Sequence, residues 1–495
     1  VGSEAEINGL RPSIYESYDG TVPFSQRVNT VFDWFSLPYE NRPQLCMLYF
    51  NEPDHSGHVY GPESTQVDSS IIEMDNIPAI LGGKMEIATQ IDPYITIGKE
   101  EKRVVNKVID EGCLSGFIAA STPEFYGGKY VQQLEKDWQV YFGVKHAISV
   151  NSATSGLYAA IAAVGIEPGD EVIVTPTTMT ATVTGIVLYQ AVPIFADISS
   201  ETFCIDPEDI QRKITNKTKA IIVVDIYGQS ADWEKINTIA RDNNLLVIED
   251  AAQAIGGEYN DKKLGTIGDI GIYSLNRHKH IHCGEGGVCV TNNDEFASRL
   301  RLIRNHGEAL VDDMGVKNIK GIIGFNFRMT EIEAAIATEQ LKKLDYYVDQ
   351  RIEMCHKIIK AFSQIPGIIA PYRSSHSKHV YYYLCFKVEK QKLGMSRDSF
   401  VEAMNAEGVP LGVGGYKPIY LQSMYKNKIA FGENGLPFSL ANNGKGISYY
   451  DGLCEVAEAL WYEELFYVKV QNYIFTDDQI KKFLPAIKKV LNYKS

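Results

Sequence analysis

Between Ala147 and Leu275 short apolar runs alternate with helix-length stretches, and this alternation constrains the fold more than any other feature of the chain. The runs Ala147–Val150, Glu171–Val174, Pro193–Ala196, Ala220–Asp225, Leu245–Glu249 and Ile270–Leu275 have the length and continuous apolar character of strands covered on both faces. Thr154–Val164 and Trp233–Asp242 have the length of the helices that cross between such strands. Repeated βαβ units predict an α/β fold, with a mostly parallel sheet and helices on both sides. Near Phe296 the alternation gives way to longer helical patterns, Glu295–Asn305 and Met329–Ile359, the second as more than one helix. From His379 a strand-like HVYYYLCFKV, a helix-like Ser396–Glu407, a Gly-rich GVPLGVGGYKPIY and a helix from about Asp477 predict a smaller α+β domain.

Composition narrows the functions open to this fold. Lysine and arginine number 48 against 62 aspartates and glutamates, a net charge of −14, which opposes a general attraction to nucleic acid or to an anionic membrane. Any phosphate must therefore be caught locally. No apolar run is long enough for a membrane span, and Val1 to Asn8 are acidic and polar where a signal peptide would be basic and then apolar. Eight cysteines are scattered without a CxxC pair, as expected of reduced thiols in a cytoplasmic protein.

Three segments carry the chemistry. SLNRHKHIHCGEGG (Ser274–Gly287) follows a predicted strand and places Lys279 in a polar turn where α/β sheets hold ligands. A lysine is ordinarily a solvated surface charge; one so placed is able to form a Schiff base if its surroundings lower its pKa. In LLVIEDAAQAIGG (Leu245–Gly257) a strand delivers Glu249 and Asp250 to its carboxyl end, with Gln253 one turn on. Asp250 is either a helix cap or the partner of a protonated ring nitrogen in an electron-sink cofactor. In VNSATSGLYAAI (Val150–Ile161) a strand runs through small polar residues into a helix, which suits either an ordinary cap or a phosphate held by free N–H groups with Ser152, Thr154 and Ser155. His278, His280 and His282 alternate, and in a strand they would share one face as metal ligands; a loop lying over a cofactor is the reading preferred here.

Taken in order, GGKYVQQLEKDWQVYFGVKHAISVNSATS, GDEVIVTPTTMTATVTG, QAVPIFADI, KAIIVVDIYGQ, VIEDAAQA, SLNRHKHIHCGEGG and GFNFRMTEIEAA, with YKPIY and CEVAE more loosely, resemble the DegT/StrS-type pyridoxal-phosphate-dependent sugar aminotransferases. The resemblance runs from about Pro78 to the end. It implies the fold-type-I architecture, a large domain over 77–345 and a small C-terminal domain over 346–495. It also implies pyridoxal 5′-phosphate as cofactor, with Lys279 at the Schiff-base position, Asp250 at the pyridine nitrogen and Gln253 at the ring hydroxyl. Ala153, Thr154 and Ser274 match the phosphate-binding positions, and Asn326 matches an asparagine that reaches the phosphate from a neighbouring subunit, which implies a homodimer. Met179 stands where the family usually places an aromatic ring over the cofactor, and a thioether covers a ring face without stacking. CEVAE lacks a proline often seen there, and KVQNYIF fits the family pattern poorly.

Residues 1–76 differ in kind. GSEAEINGLRPSIYESYDGTVPFSQR and RPQLCMLYFNEPDHSGHVYGPES resemble an internal stretch of the ectonucleotide pyrophosphatase/phosphodiesterase family, an incomplete piece of an alkaline-phosphatase-like fold. Asp54 and His58 match zinc ligands of that family, but its nucleophile segment and remaining ligands find no match, so the expectation is a fused fragment without phosphodiesterase activity.

The function these resemblances imply is transfer of an amino group from glutamate or glutamine to a nucleotide-linked keto sugar. The alternatives are a sugar dehydratase or lyase on the same cofactor, a zinc phosphodiesterase, and a non-catalytic regulator on the same fold. A related branch of the family that dehydrates its sugar carries histidine at the lysine position, so Lys279 favours amino transfer.

Overall fold

A computed structural model describes residues 77–441 and 446–492; the readings made for residues 1–76, Asp54 and His58 included, lie outside the described residues. Seven strands form the main sheet: β1 His146–Val150, β2 Glu171–Val174, β3 Val192–Phe195, β4 Thr218–Val224, β5 Leu246–Asp250, β6 Ile270–Ser274 and β7 Gly287–Thr291. Their order is β1-β7-β6-β5-β4-β2-β3. β7 runs antiparallel to both of its neighbours, and all other pairs are parallel.

The six expected strands are present to within two residues at each end. The alternation gave no sign of β7, because GVCVT is a short, wholly buried run directly after a glycine-rich turn. Around the sheet lie α1 Lys99–Glu111, α2 Lys129–Phe142, α3 Ala153–Ala163, α4 Ala181–Leu188, α5 Pro207–Lys213, α6 Trp233–Asp242 and α7 Asp294–Arg304. The long helical pattern after Met329 divides into α8 Glu331–Leu341 and α9 Leu344–Phe362. Thr330 and Glu333 form a reciprocal capping box that starts α8 where the pattern begins.

A second sheet, β8 Ile368–Ile369, β9 Leu384–Val388, β10 Leu411–Val413 and β11 Leu465–Val468, is antiparallel throughout in the order β8-β9-β11-β10. It packs with α9, α10 Arg397–Ala406 and α11 Phe483–Asn492 around Phe362, Phe386, Phe400, Phe466 and Phe483. Each such buried ring contributes about 1.5–3 kcal/mol over its exposed state. Ile419, Tyr420, Tyr425 and Tyr449 return to the first core, where Phe195 meets the rings of the three tyrosines at centroid distances of 5.4–6.0 Å.

HVYYYLCFKV is strand only from Leu384 onward. Before it, the N–H groups of Val380 and Tyr382 donate to the carbonyls of Gly228 and Tyr227 at 2.9 and 2.8 Å, so this stretch spends its hydrogen bonds on a turn rather than on a neighbouring strand. Gly228 permits the approach: a Cβ there would lie 2.9 Å from the nitrogens of Tyr381 and Tyr382, and its φ is +87°.

Candidate active site

The register of the main sheet brings three motifs to one edge. Ser274 pairs with Gly287, Gly287 with Val150, and Asp250 with Ile272, so the carboxyl ends of β1, β5 and β6 lie together. This is the edge at which open α/β sheets hold ligands.

At one end of the site α3 begins with donors to spare. Ser152 caps it by accepting from the Ser155 N–H at 3.1 Å, while the N–H groups of Ala153 and Thr154 have no acceptor among the described residues. Gly287 backs this turn so closely that a Cβ would stand 2.6 Å from the Ala153 nitrogen. Ser274 is buried at the end of β6, and its Oγ accepts from the Asn276 N–H at 3.3 Å.

In the middle lies Lys279, buried in the turn after β6. Its Nζ sits 4.3 Å from the centre of the Tyr382 ring. Burial pushes its pKa down to about 8, against an opposing pull from Asp250. A buried amine so depressed is neutral often enough to act as nucleophile and base.

Behind it, Asp250 ends β5. Its carboxylate accepts from the Thr182 hydroxyl at 2.8 Å and the Ala252 N–H at 3.1 Å. Burial raises its proton affinity, and Thr182, the Ala252 N–H and the Lys279 charge act in the other direction. Thr178 completes the relay with a 3.0 Å contact to the Thr182 hydroxyl. Gln253 is buried beside them; its Oε1 accepts from the Tyr227 N–H at 2.9 Å and its Nε2 donates to the Tyr416 hydroxyl at 3.2 Å.

The remaining expected residues lie further out. Thr154 is half-buried at the start of α3, Met179 is 56% exposed in the turn before α4, and Asn326 is exposed in the segment preceding α8. The alternating histidines are not in a strand and differ in burial. His278 is exposed, His280 is buried with its Nε2 at 2.7 Å from the Val380 carbonyl, and the His282 N–H donates to Gln340.

A wall of tyrosines was not anticipated. Tyr382, Tyr383, Tyr416, Tyr227 and Tyr467 stack with near-parallel planes, the closest pairs being Tyr383–Tyr467 at 4.4 Å and Tyr382–Tyr383 at 4.7 Å. Gly415 makes room for it, since a Cβ there would meet the Tyr227 hydroxyl at 2.2 Å. The available signal was the triplet Tyr381–Tyr383, read as strand, and Tyr416 within YKPIY.

Unpaired N–H donors at the start of α3, a buried amine after β6 and a buried carboxylate at the end of β5 thus gather along one sheet edge. The profile of the DegT/DnrJ/EryC1/StrS aminotransferase family matches residues 117–448, and the chain belongs to that family. The family match makes this chain a pyridoxal-phosphate-dependent aminotransferase. It is 33% identical over 349 residues to the spore coat polysaccharide biosynthesis protein SpsC of Bacillus subtilis, covering 69% of this chain and 86% of the relative. It is 30% identical over 398 residues to the GDP-perosamine synthase of Vibrio cholerae, covering 79% and 96%. Among solved structures, an aminotransferase from Psychrobacter cryohalolentis superposes with a TM-score of 0.69 at 28% identity, covering 81% of this chain and 99% of that one.

A second profile, type I phosphodiesterase/nucleotide pyrophosphatase, matches residues 1–81. Its last residues are described. Ile77 and Leu81 are buried, and the Ala79 N–H donates to Glu407 at 2.7 Å, so this end of the match packs against the C-terminal end of α10.

Proposed function

We propose that this enzyme moves an amino group from glutamate or glutamine to a keto sugar carried on a nucleotide. The observation that carries the reading is the buried Lys279 amine at the sheet edge with Asp250 behind it. The choice of substrate is supported by a relative that is a GDP-perosamine synthase and another named for polysaccharide biosynthesis.

Bound pyridoxal phosphate supplies an electron sink for the pair released when the Cα–H bond of the donor breaks. Lys279 would hold the cofactor covalently and, once displaced by the donor amine, take the proton from the donor Cα and return one to the sugar carbon that receives nitrogen. Asp250, kept in place by Thr182, would hold a proton on the pyridine nitrogen. The N–H groups of Ala153 and Thr154 with Ser274 would hold the phosphate, Gln253 would orient the ring hydroxyl and Met179 would cover the ring.

Asn326 would complete the phosphate site of a second copy, making the working unit a homodimer. Its exposure, on a segment bridged to Asn305, supports this role. Mixing Lys279→Ala with Asn326→Ala protein would then restore activity absent from both parents. Seven free cysteines among the described residues support action in the cytoplasm.

Product mass tests the reaction. Incubation with pyridoxal phosphate, L-glutamate and nucleotide-linked 4-keto sugars is expected to exchange a keto oxygen for an amino group. A product that has instead lost water would replace this reading with the dehydratase.

A further inference from the structure

The turn that carries Lys279 belongs to no helix or strand, yet catalysis needs the amine aimed to a fraction of an ångström. Its neighbour His280 is fully buried and is held at both ends. The His280 Nε2 lies 2.7 Å from the Val380 carbonyl, which only accepts, so Nε2 carries the proton. The Nδ1 has no partner among the described residues. On the main-chain side, the Tyr94 hydroxyl donates to the His280 carbonyl at 2.7 Å.

Both holds are themselves fixed. The Val380 N–H donates to the Gly228 carbonyl at 2.9 Å. The Tyr94 N–H donates to the Asn472 carbonyl at 2.8 Å, next to a short ladder that pairs Asp92 and Pro93 with Ile474 and Tyr473. The Arg351 guanidinium lies 4.2 Å from the centre of the Tyr94 ring, and it acts on the Tyr94 hydroxyl as well, favouring its ionised form. The contact with this buried cation holds the ring in turn.

We propose that Tyr94 and His280 are positioning residues, a clamp that sets the direction of Lys279 from segments outside the main sheet. One arm reaches Val380, at the entry to β9, and the other reaches Asn472, just after β11. The clamp ties the lysine to the chain entering and leaving the second sheet. It rests on Lys279 being the residue that holds the cofactor.

Tyr94→Phe tests it, because the ring stays beneath Arg351 and only the hydroxyl is lost. With apoprotein and added pyridoxal phosphate, the rate of covalent attachment by absorbance is read beside kcat, KM for L-glutamate and Tm. The clamp predicts attachment rate and kcat reduced about 10- to 100-fold, as for a misplacement of up to about 1 Å, with KM and Tm near those of the parent. His280→Leu should show the same loss and His280→Gln, which keeps an N–H donor, should recover part of it. Parental attachment rate and kcat in Tyr94→Phe overturn the proposal, as does a loss that merely follows a fall in Tm; if His280→Leu does not fold, Tyr94→Phe decides alone. Borohydride labelling of the parent protein keeps the two claims apart: a label elsewhere than Lys279 removes the reading beneath the clamp, whereas a label on Lys279 with an unaffected Tyr94→Phe removes the clamp only.

Discussion

One wall of the site is made of strand ends and the start of a helix; the other is made of tyrosines from segments much further along the chain. Asp250, Ser274 and Ala153 owe their places to the register of a single sheet, in which each strand fixes the next. Tyr382, Tyr383, Tyr416 and Tyr467 come from the second half of the chain and meet only because Gly228 and Gly415 let two backbone segments approach Tyr227. The first wall carries charge and leads into the turn with the Lys279 amine, and the second carries rings and hydroxyls. Changes on the sheet side should therefore act on the chemical step, and changes on the tyrosine side should act more weakly.

The largest effect is expected from Lys279→Ala, which should lower turnover on the order of 10⁴-fold by removing both the covalent hold and the proton carrier. Stopped assays with glutamate as donor read this directly. Thr182→Val comes next. It removes a hydroxyl donated to a buried carboxylate, a bond worth about 1.5–3 kcal/mol, so kcat should fall by roughly 10- to 100-fold. That bond favours the ionised acid, so without it the pKa of Asp250 rises. The acid limb of the pH–rate profile should accordingly move to higher pH, activity being lost earlier as pH falls.

These two changes would sharpen the contrast, and Tyr416→Phe could break it. The bond from Gln253 to the Tyr416 hydroxyl joins neutral partners and is worth about 0.5–1.5 kcal/mol, so kcat/KM should drop only about 2- to 10-fold. A loss as large as that of Thr182→Val would show that the tyrosine wall takes part in the chemical step. The pH dependence of cofactor capture by apoprotein gives a further check. Lys279 loses its proton near pH 8 rather than at the usual 10.5, so capture should rise through pH 8 and level off above it.

The sheet wall was legible because its signals are local. A buried strand announces itself as an apolar run, and the residue at its end is placed by that run alone, as with Asp250 after LLVIE and Ser274 after IGIY. β7 escaped because its apolar stretch, Val288–Val290, is only three residues long and follows a glycine turn, too short to show alternation. The tyrosine wall escaped for another reason. A run of tyrosines reads as strand by propensity, and nothing near it in sequence shows that its hydrogen bonds go to Tyr227 and Gly228. The same holds for Tyr94, which lies in none of the motifs that carry the resemblance. Residues placed by packing between distant segments leave no periodic trace.

The most direct test of the central claim is to reduce the enzyme with borohydride in the presence of pyridoxal phosphate, digest it and identify the labelled lysine among the peptides. The account predicts one stoichiometric label, on Lys279, and its loss when L-glutamate is added before reduction. A label on another lysine, or none on a folded protein, would contradict it.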